Sequence, residues 1–174
     1  MVLYTIGHST HPIEIFVSLL RAHKVDLLID VRAFPASRRW PQFNHDDLKA
    51  SLERTGLSYQ WCKQLGGRRR TLLDDSPHRA WHHLAFRSYA DYADSVEFAS
   101  ALAGLTESAA TRPTAIMCSE GLWWRCHRRI IADHMTAQGW HVRHIMPDGK
   151  LVAHSLPRFA RLEGRRIVYD GVGE

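Results

Sequence analysis

The densest chemistry in the chain lies between Cys118 and Arg128, where two thiols, Ser119, Glu120, Trp123, Trp124, Arg125, His127 and Arg128 fall within a few positions. Packing alone does not call for this set. Glu120 stands in the turn itself and is the best candidate for a general acid or base. Cys118 closes an apolar run, where most proteins keep a core thiol; beside a helix amino terminus and arginines, however, a thiol is acidified and becomes a nucleophile or redox group. His127 can reach back toward the Cys118 turn, and Arg128 and Trp123 are candidates to hold substrate. Cys126, Ile130 and His134 stand four apart on the stripe expected to face a sheet, so Cys126 reads as buried.

Three named chemistries can be tested on this stretch. A phosphatase-like loop needs Arg as the sixth residue after its cysteine, and Arg125 comes one position too late after Cys118. A zinc site could use Cys118, Cys126 and His127, yet their spacing fits no closed pattern, and neighbours on a helix point about 100° apart; no metal ligand is assigned. Nothing resembles the adjacent cysteine pair of a thioredoxin motif.

Two other turns carry groups of the same kind. His8 and Ser9 follow a first apolar run, and Asp30 with Arg32 ends a second. Asp30 inside an apolar strand is costly unless paired, and Arg32 points to the same side, so a structural contact between them is as good a reading as a ligand site. His8, Asp30, Cys118, Glu120 and His127 form the catalytic candidates. Ser9, Arg32 and Arg38, with Arg87, Tyr89, Arg128 and Trp123, form the substrate-binding set; Arg39, Trp40 and residues 68–70 supply a rim.

The elements that must position these groups follow from periodicity. Residues 2–6, 27–31, 58–62, 114–118 and 141–145 read as strands, the second almost continuously apolar, as in a parallel sheet covered on both faces. Helical spacing begins after Pro12, with Ile13, Phe16, Val17 and Leu20 inward. It resumes after Asn44, a candidate cap whose helix stops at Gly56, over 86–93 and 96–105 as one bent helix or two, and over 123–138 before Gly139. Residues 32–43 form a long loop with two prolines, and 71–85 a loop or irregular helix. The expected architecture is a single α/β domain over 1–174, a three-layer α/β/α sandwich on a mostly parallel sheet of about five strands. Residues 146–174 form an extension that makes a hairpin or an edge strand. Ligands of such sheets sit beyond the carboxyl ends of the strands, where strand order reverses.

Composition bounds the function. A chain of 174 residues, 45% hydrophobic, can bury a sizeable core, and no apolar run approaches the roughly 20 residues of a membrane span. The amino terminus shows no signal-peptide pattern, so a cytoplasmic location is the expectation. Three cysteines argue against a disulfide framework. The net charge of +5, carried mainly by arginine, suits a phosphate or carboxylate partner.

The motifs Thr5-Ile6-Gly7-His8-Ser9, Asp30-Val31-Arg32, Leu65-Gly66-Gly67, Phe86-Arg87-x-Tyr89-Ala90, Met117-Cys118-x-Glu120, Cys126-His127-Arg128 and His144-Ile145 occur in this order. Over about residues 3–146 the chain resembles the uncharacterised family catalogued as domain of unknown function 488. That resemblance implies an α/β fold and groups His8, Asp30, Arg32, Arg87, Cys118, Glu120, Cys126, His127 and Arg128 as signature positions, without assigning a reaction. The leading expectation is a hydrolase or transferase acting on a nucleotide or nucleic acid, at the base or its glycosidic bond. In it Glu120 or Asp30 activates water, and His8 or His127 assists proton transfer. A thiol-dependent or redox-sensing protein using Cys118 and a non-enzymatic nucleic-acid-binding module are the alternatives. No motif specifies a cofactor or an oligomeric state.

Overall fold

Side-chain parity along the strands sorts the apolar residues onto two faces. Leu27, Ile29, Val31, Ile116 and Cys118 join one buried cluster, while Leu28, Ala115 and Met117 join another. The computed structural model describes residues 1–70 and 73–171. Residues 71–72, within the stretch expected as loop or irregular helix, and 172–174, at the end of the extension, lie outside the described residues.

The strands are β1 (Val2–Gly7), β2 (Leu27–Asp30), β3 (Ser58–Trp61), β4 (Thr114–Cys118), β5 (His141–Ile145) and β6 (Leu151–Ala153), ordered β3-β2-β4-β1-β5-β6. All neighbours are parallel except β6, which pairs antiparallel with β5. The sheet is therefore α/β and mostly parallel, with one antiparallel edge strand from the extension. The same extension also supplies a separate hairpin, β7 (Ala160–Glu163) with β8 (Arg166–Tyr169).

Helices α1 (Ile13–Ala22) and α2 (His45–Glu53) cover one face with Phe16, Val17, Leu20, Leu48 and Leu52. On the other lie α3 (Leu84–Ala93), α4 (Val96–Thr111) and α5 (Arg128–Ala137), through Tyr89, Phe98, Leu102, Ile130 and Ile131. Each fully enclosed Leu or Phe contributes about 1.5–3 kcal/mol. Among the described residues no helix is long and apolar enough to cross a membrane. β1 and β4 are neighbours whose following helices leave toward opposite faces. This is the strand-order reversal that opens a crevice at the carboxyl edge.

Two expectations change. Asn44 precedes α2 but makes no side-chain cap; its Oδ1 accepts from the Ser37 backbone N–H at 2.7 Å and ties down the long loop instead. The helix expected from residue 123 begins only at Arg128. A single 3-10 turn, Trp123–Arg125, comes first, and Cys126 is extended at φ −128°, ψ 147°. Trp123 is drawn out of helical register because its ring lies flat on His144 of β5, with centroids 4.2 Å apart and planes 4° from parallel.

Candidate functional site

Loops from the carboxyl ends of β1, β2, β3 and β4 meet around a cleft of about 890 Å³. Its closest packing is made by glycine. A Cβ on Gly7 would stand 1.9 Å from the Glu120 carbonyl oxygen, so the loop after β4 lies directly on the end of β1. The two loops also continue the ladder, with His8 N–H donating to Cys118 O at 2.9 Å and Ser9 N–H to Ser119 O at 3.0 Å.

Asp30 and Arg32 form a closed pair. Arg32 gives Nε and Nη2 to the Asp30 carboxylate at 2.9 and 2.6 Å, and Nη2 also to Phe43 O at 2.8 Å. The Tyr59 hydroxyl donates to Asp30 at 2.8 Å. Burial alone would favour loss of the Arg32 charge, and the Asp30 bonds more than offset it, keeping its pKa above the ordinary value. Asp30, fully buried behind Arg32, holds that guanidinium in place and does not line the cleft.

His8 does line it. Its ring stacks on Phe43 at 4.2 Å, and Nδ1 must carry the proton because its partner at 3.0 Å is the Ser9 carbonyl, which only accepts. Nε2 is then an acceptor, 3.4 Å from Arg32 Nη1. Burial, and next the Arg32 charge, lower its pKa to about 4, so at neutral pH His8 is an uncharged base.

The floor is sulfur and imidazole. His127 Nε2 lies 2.9 Å from the Val31 carbonyl and must donate to it. The lone pair of Nδ1 therefore faces Cys126 Sγ at 3.5 Å and Cys118 Sγ at 3.9 Å. Gly67 sits against the ring, where a Cβ would come within 2.3 Å of Nδ1. Arg128, 1% exposed, reaches under the turn; it gives Nε to Cys126 Sγ at 3.4 Å and Nη2 to the Glu120 carbonyl. Burial opposes ionisation of Cys126, but the facing Cys118 thiol and the Arg128 guanidinium outweigh it and lower its pKa. Cys118 moves the other way, raised by its contact with Cys126 and then by burial.

Of the candidates read from sequence, His8, Ser9, Arg32, Cys118, Glu120 and His127 line the cleft. Glu120 Oε1 accepts from Leu122 N–H at 3.2 Å. The others stand outside the lining. Arg38 is exposed on the long loop, and Arg87 donates to the Trp81 and Arg79 carbonyls. Tyr89 is enclosed, with its hydroxyl on Leu65 O at 2.8 Å and its ring edge-on to His127. Trp123 covers His144, and Arg128 acts from beneath the turn. The rim holds Arg68 and Trp124, both read from the sequence, and adds Phe34, which was not singled out. Phe34, 61% exposed, lies under the Arg68 guanidinium, and Trp124, 43% exposed, neighbours Arg125. A bulky aromatic left in a proline-flanked loop was the available signal for Phe34.

A second polar system lies on the α5 side of β1 and joins Asp133, His154, His144 and Thr5 to Arg128. These residues are scattered from one end of the chain to the other. Among them Thr5, Arg128 and His144 fell within quoted motifs, while Asp133 and His154 did not.

Comparison with curated proteins and with solved structures yields no match. The family model described as "Domain of unknown function DUF488" matches residues 12–135, taking in Asp30, Arg32 and the whole Cys118–Arg128 stretch and leaving His8 just outside. With most of its length under that model, the chain belongs to the DUF488 family.

Proposed function

We propose that the chain is an enzyme, a hydrolase or transferase that takes a nucleotide or a short nucleic-acid segment into the carboxyl-edge cleft and acts at the base or its glycosidic bond. The observation that carries this reading is the rim: two exposed aromatic faces, Phe34 and Trp124, stand with Arg68 and Arg125 around one opening. Aromatic faces stack bases and guanidinium groups hold phosphates, a combination worth about 1–3 kcal/mol per stacked base. Glu120 on the wall has a carboxylate oxygen to spare for water or a leaving group, and neutral His8 can take a proton at Nε2. Arg32 is pre-oriented by Asp30 rather than mobile, which suits a fixed anion position.

Binding of a labelled single-stranded oligonucleotide and of mononucleotides, measured by anisotropy over a salt series, tests the reading. Affinity is expected to fall with salt, and Trp124→Ala with Phe34→Ala to weaken it by about tenfold or more. No binding at low salt, together with no nucleotide-induced rise in Tm, would overturn it. The thiol-dependent reading is favoured by the two sulfurs facing His127 Nδ1. It requires an alkylating reagent to modify Cys126 or Cys118 well ahead of Cys62 at neutral pH; equal rates at all three remove it.

A further inference from the structure

Cys126 and His127, expected from spacing to be helix neighbours, do not lie on a helix. Cys126 is extended and His127 is the residue before α5. The ligand atoms of Cys118, Cys126 and His127 consequently gather within 4.8 Å of one another, the set of soft and borderline donors that zinc prefers.

The distances fit an ion. A tetrahedral metal with bonds of about 2.3 Å to sulfur and about 2.1 Å to nitrogen separates those ligands by roughly 3.6 Å. The Sγ to Nδ1 distances are 3.5 Å for Cys126 and 3.9 Å for Cys118. The surroundings fit as well. A ligating histidine ordinarily gives its other N–H to a fixed acceptor, which orients the ring, and His127 Nε2 donates to Val31 O at 2.9 Å. The Arg128 Nε–H directed at Cys126 Sγ stabilises a thiolate. All three residues line the cleft, as does Glu120, so a group in the cleft can reach the cluster.

We propose that Cys118, Cys126 and His127 form a mononuclear zinc-class site with one open coordination position facing the cleft. Both cysteines bind as thiolates, releasing to solvent the protons they carry, and His127 binds neutral through Nδ1. Two thiolates and a divalent ion sum to zero charge, so an anionic or neutral group, water or a substrate heteroatom, completes the tetrahedron. Three protein ligands with an open fourth place is the pattern of catalytic rather than structural zinc, and such a site lowers the pKa of its bound water. The site stands on its own geometry, whether or not the substrate is a nucleotide.

Cobalt titration of the full chain, stripped of metal under reducing conditions, provides the test without reference to activity. One equivalent of Co²⁺ should bring up thiolate-to-cobalt charge transfer and the intense visible bands of tetrahedral cobalt, and Zn²⁺ should bleach both. Cys118→Ser and Cys126→Ser should each lose about half of the charge-transfer intensity. His127→Gln should keep that intensity and weaken binding by about 100-fold or more, and Cys62→Ser should change neither. X-ray absorption of the zinc-loaded wild type, which needs no variant to fold, should show two sulfur and two lighter ligands. Absence of the charge-transfer band, its persistence in the double cysteine variant, or a zinc shell without sulfur would overturn the site.

Discussion

Arg128 divides two buried polar clusters that differ in what they leave unpaired. On one side lies a closed series. Arg128 Nη1 donates to Thr5 Oγ1 at 3.4 Å, and the Thr5 hydroxyl donates to His144 Nδ1 at 2.7 Å. His144 Nε2 donates to His154 Nδ1 at 3.0 Å, and His154 Nε2 to Asp133 at 2.7 Å. Tyr169 donates to the other Asp133 oxygen at 2.8 Å. Each donor meets one acceptor, the His154 and Asp133 side chains are fully enclosed, and Trp123 lies over His144. On the other side Cys118, Cys126 and His127 turn acceptors toward a common point beside an open cleft. Burial of polar groups is shared by both, so burial does not mark function. Satisfied pairing marks the first cluster as architecture, and unspent lone pairs leave the second able to take a ligand.

The largest effect comes from acid, and it reaches furthest in the closed series. Burial, then the nearby His154 and Arg128, holds the pKa of His144 down to about 2. His134, next to this system on α5, is lowered to about 4 by burial, with Asp94 pulling the other way. In the unfolded chain both rings protonate near 6.5. Below that pH the unfolded state therefore binds more protons than the native state, and stability rises with pH. The contribution of these rings should be complete above about pH 6.5 and fall by about 1.4 kcal/mol per unit for each ring as pH drops toward 4. Below 4 His144 continues the loss, joined by Asp94, whose carboxyl, against the effect of burial, is held down to about 2 by its bonds to His78 and Arg166. Urea midpoints measured from pH 7 to 4.5 check this, and because His8 in the cleft is held down to about 4 in the same way, a His134→Phe variant should flatten the slope by about a third. An unchanged midpoint down to pH 5 would refute the account.

Removing the anchor of the closed series comes next. Asp133→Ala leaves the His154 N–H and the Tyr169 hydroxyl buried without their acceptor, and the hairpin of β7 and β8 loses its bond to α5. Breaking a buried pair from one side costs about 3–5 kcal/mol. Chemical denaturation should show that loss, while cobalt binding at the sulfur cluster persists in the folded fraction. A loss under about 1 kcal/mol would mean the series is not what holds this side together.

How far the sequence disclosed these regions depended on the range of the signal. Apolar runs such as Leu27-Leu28-Ile29 announced the strands, because a strand covered on both faces has no polar side to hide. Asp30 and Arg32 could be paired from their two-residue spacing alone. The sulfur cluster was half visible. Cys126, Ile130 and His134 keep helical spacing, and that periodicity ran backward past the true start of α5 at Arg128. What breaks it is Trp123 stacking on His144 from β5, a contact between residues 21 apart in sequence that no local pattern records. The connection within the closed series was hidden for the same reason: Thr5, Asp133, His144, His154 and Tyr169 come from separate elements, and although Thr5 and His144 fall in motifs, no local spacing joins them.

The smallest effect on stability is expected at the cleft-wall carboxylate proposed to move a proton. Glu120 is half-buried at the cleft wall, and its Oε1 accepts from Leu122 N–H at 3.2 Å. A glutamine keeps that acceptor and nearly the same volume, and the turn itself is fixed by Arg128 on the Glu120 carbonyl and by Gly7 beneath it. Glu120→Gln should therefore leave the urea midpoint within about 0.5 kcal/mol of wild type. A carboxylate that moves a proton in the transition state contributes typically about 10²–10⁴ in rate. In a screen of nucleosides, nucleotides and oligonucleotides, any turnover by the wild type should fall by that factor while substrate affinity is retained. Equal turnover by the variant would remove Glu120 from the chemistry and leave the cleft's acid–base work to His8. A destabilised variant with lost affinity would instead place Glu120 with Asp133, among the groups that hold the fold.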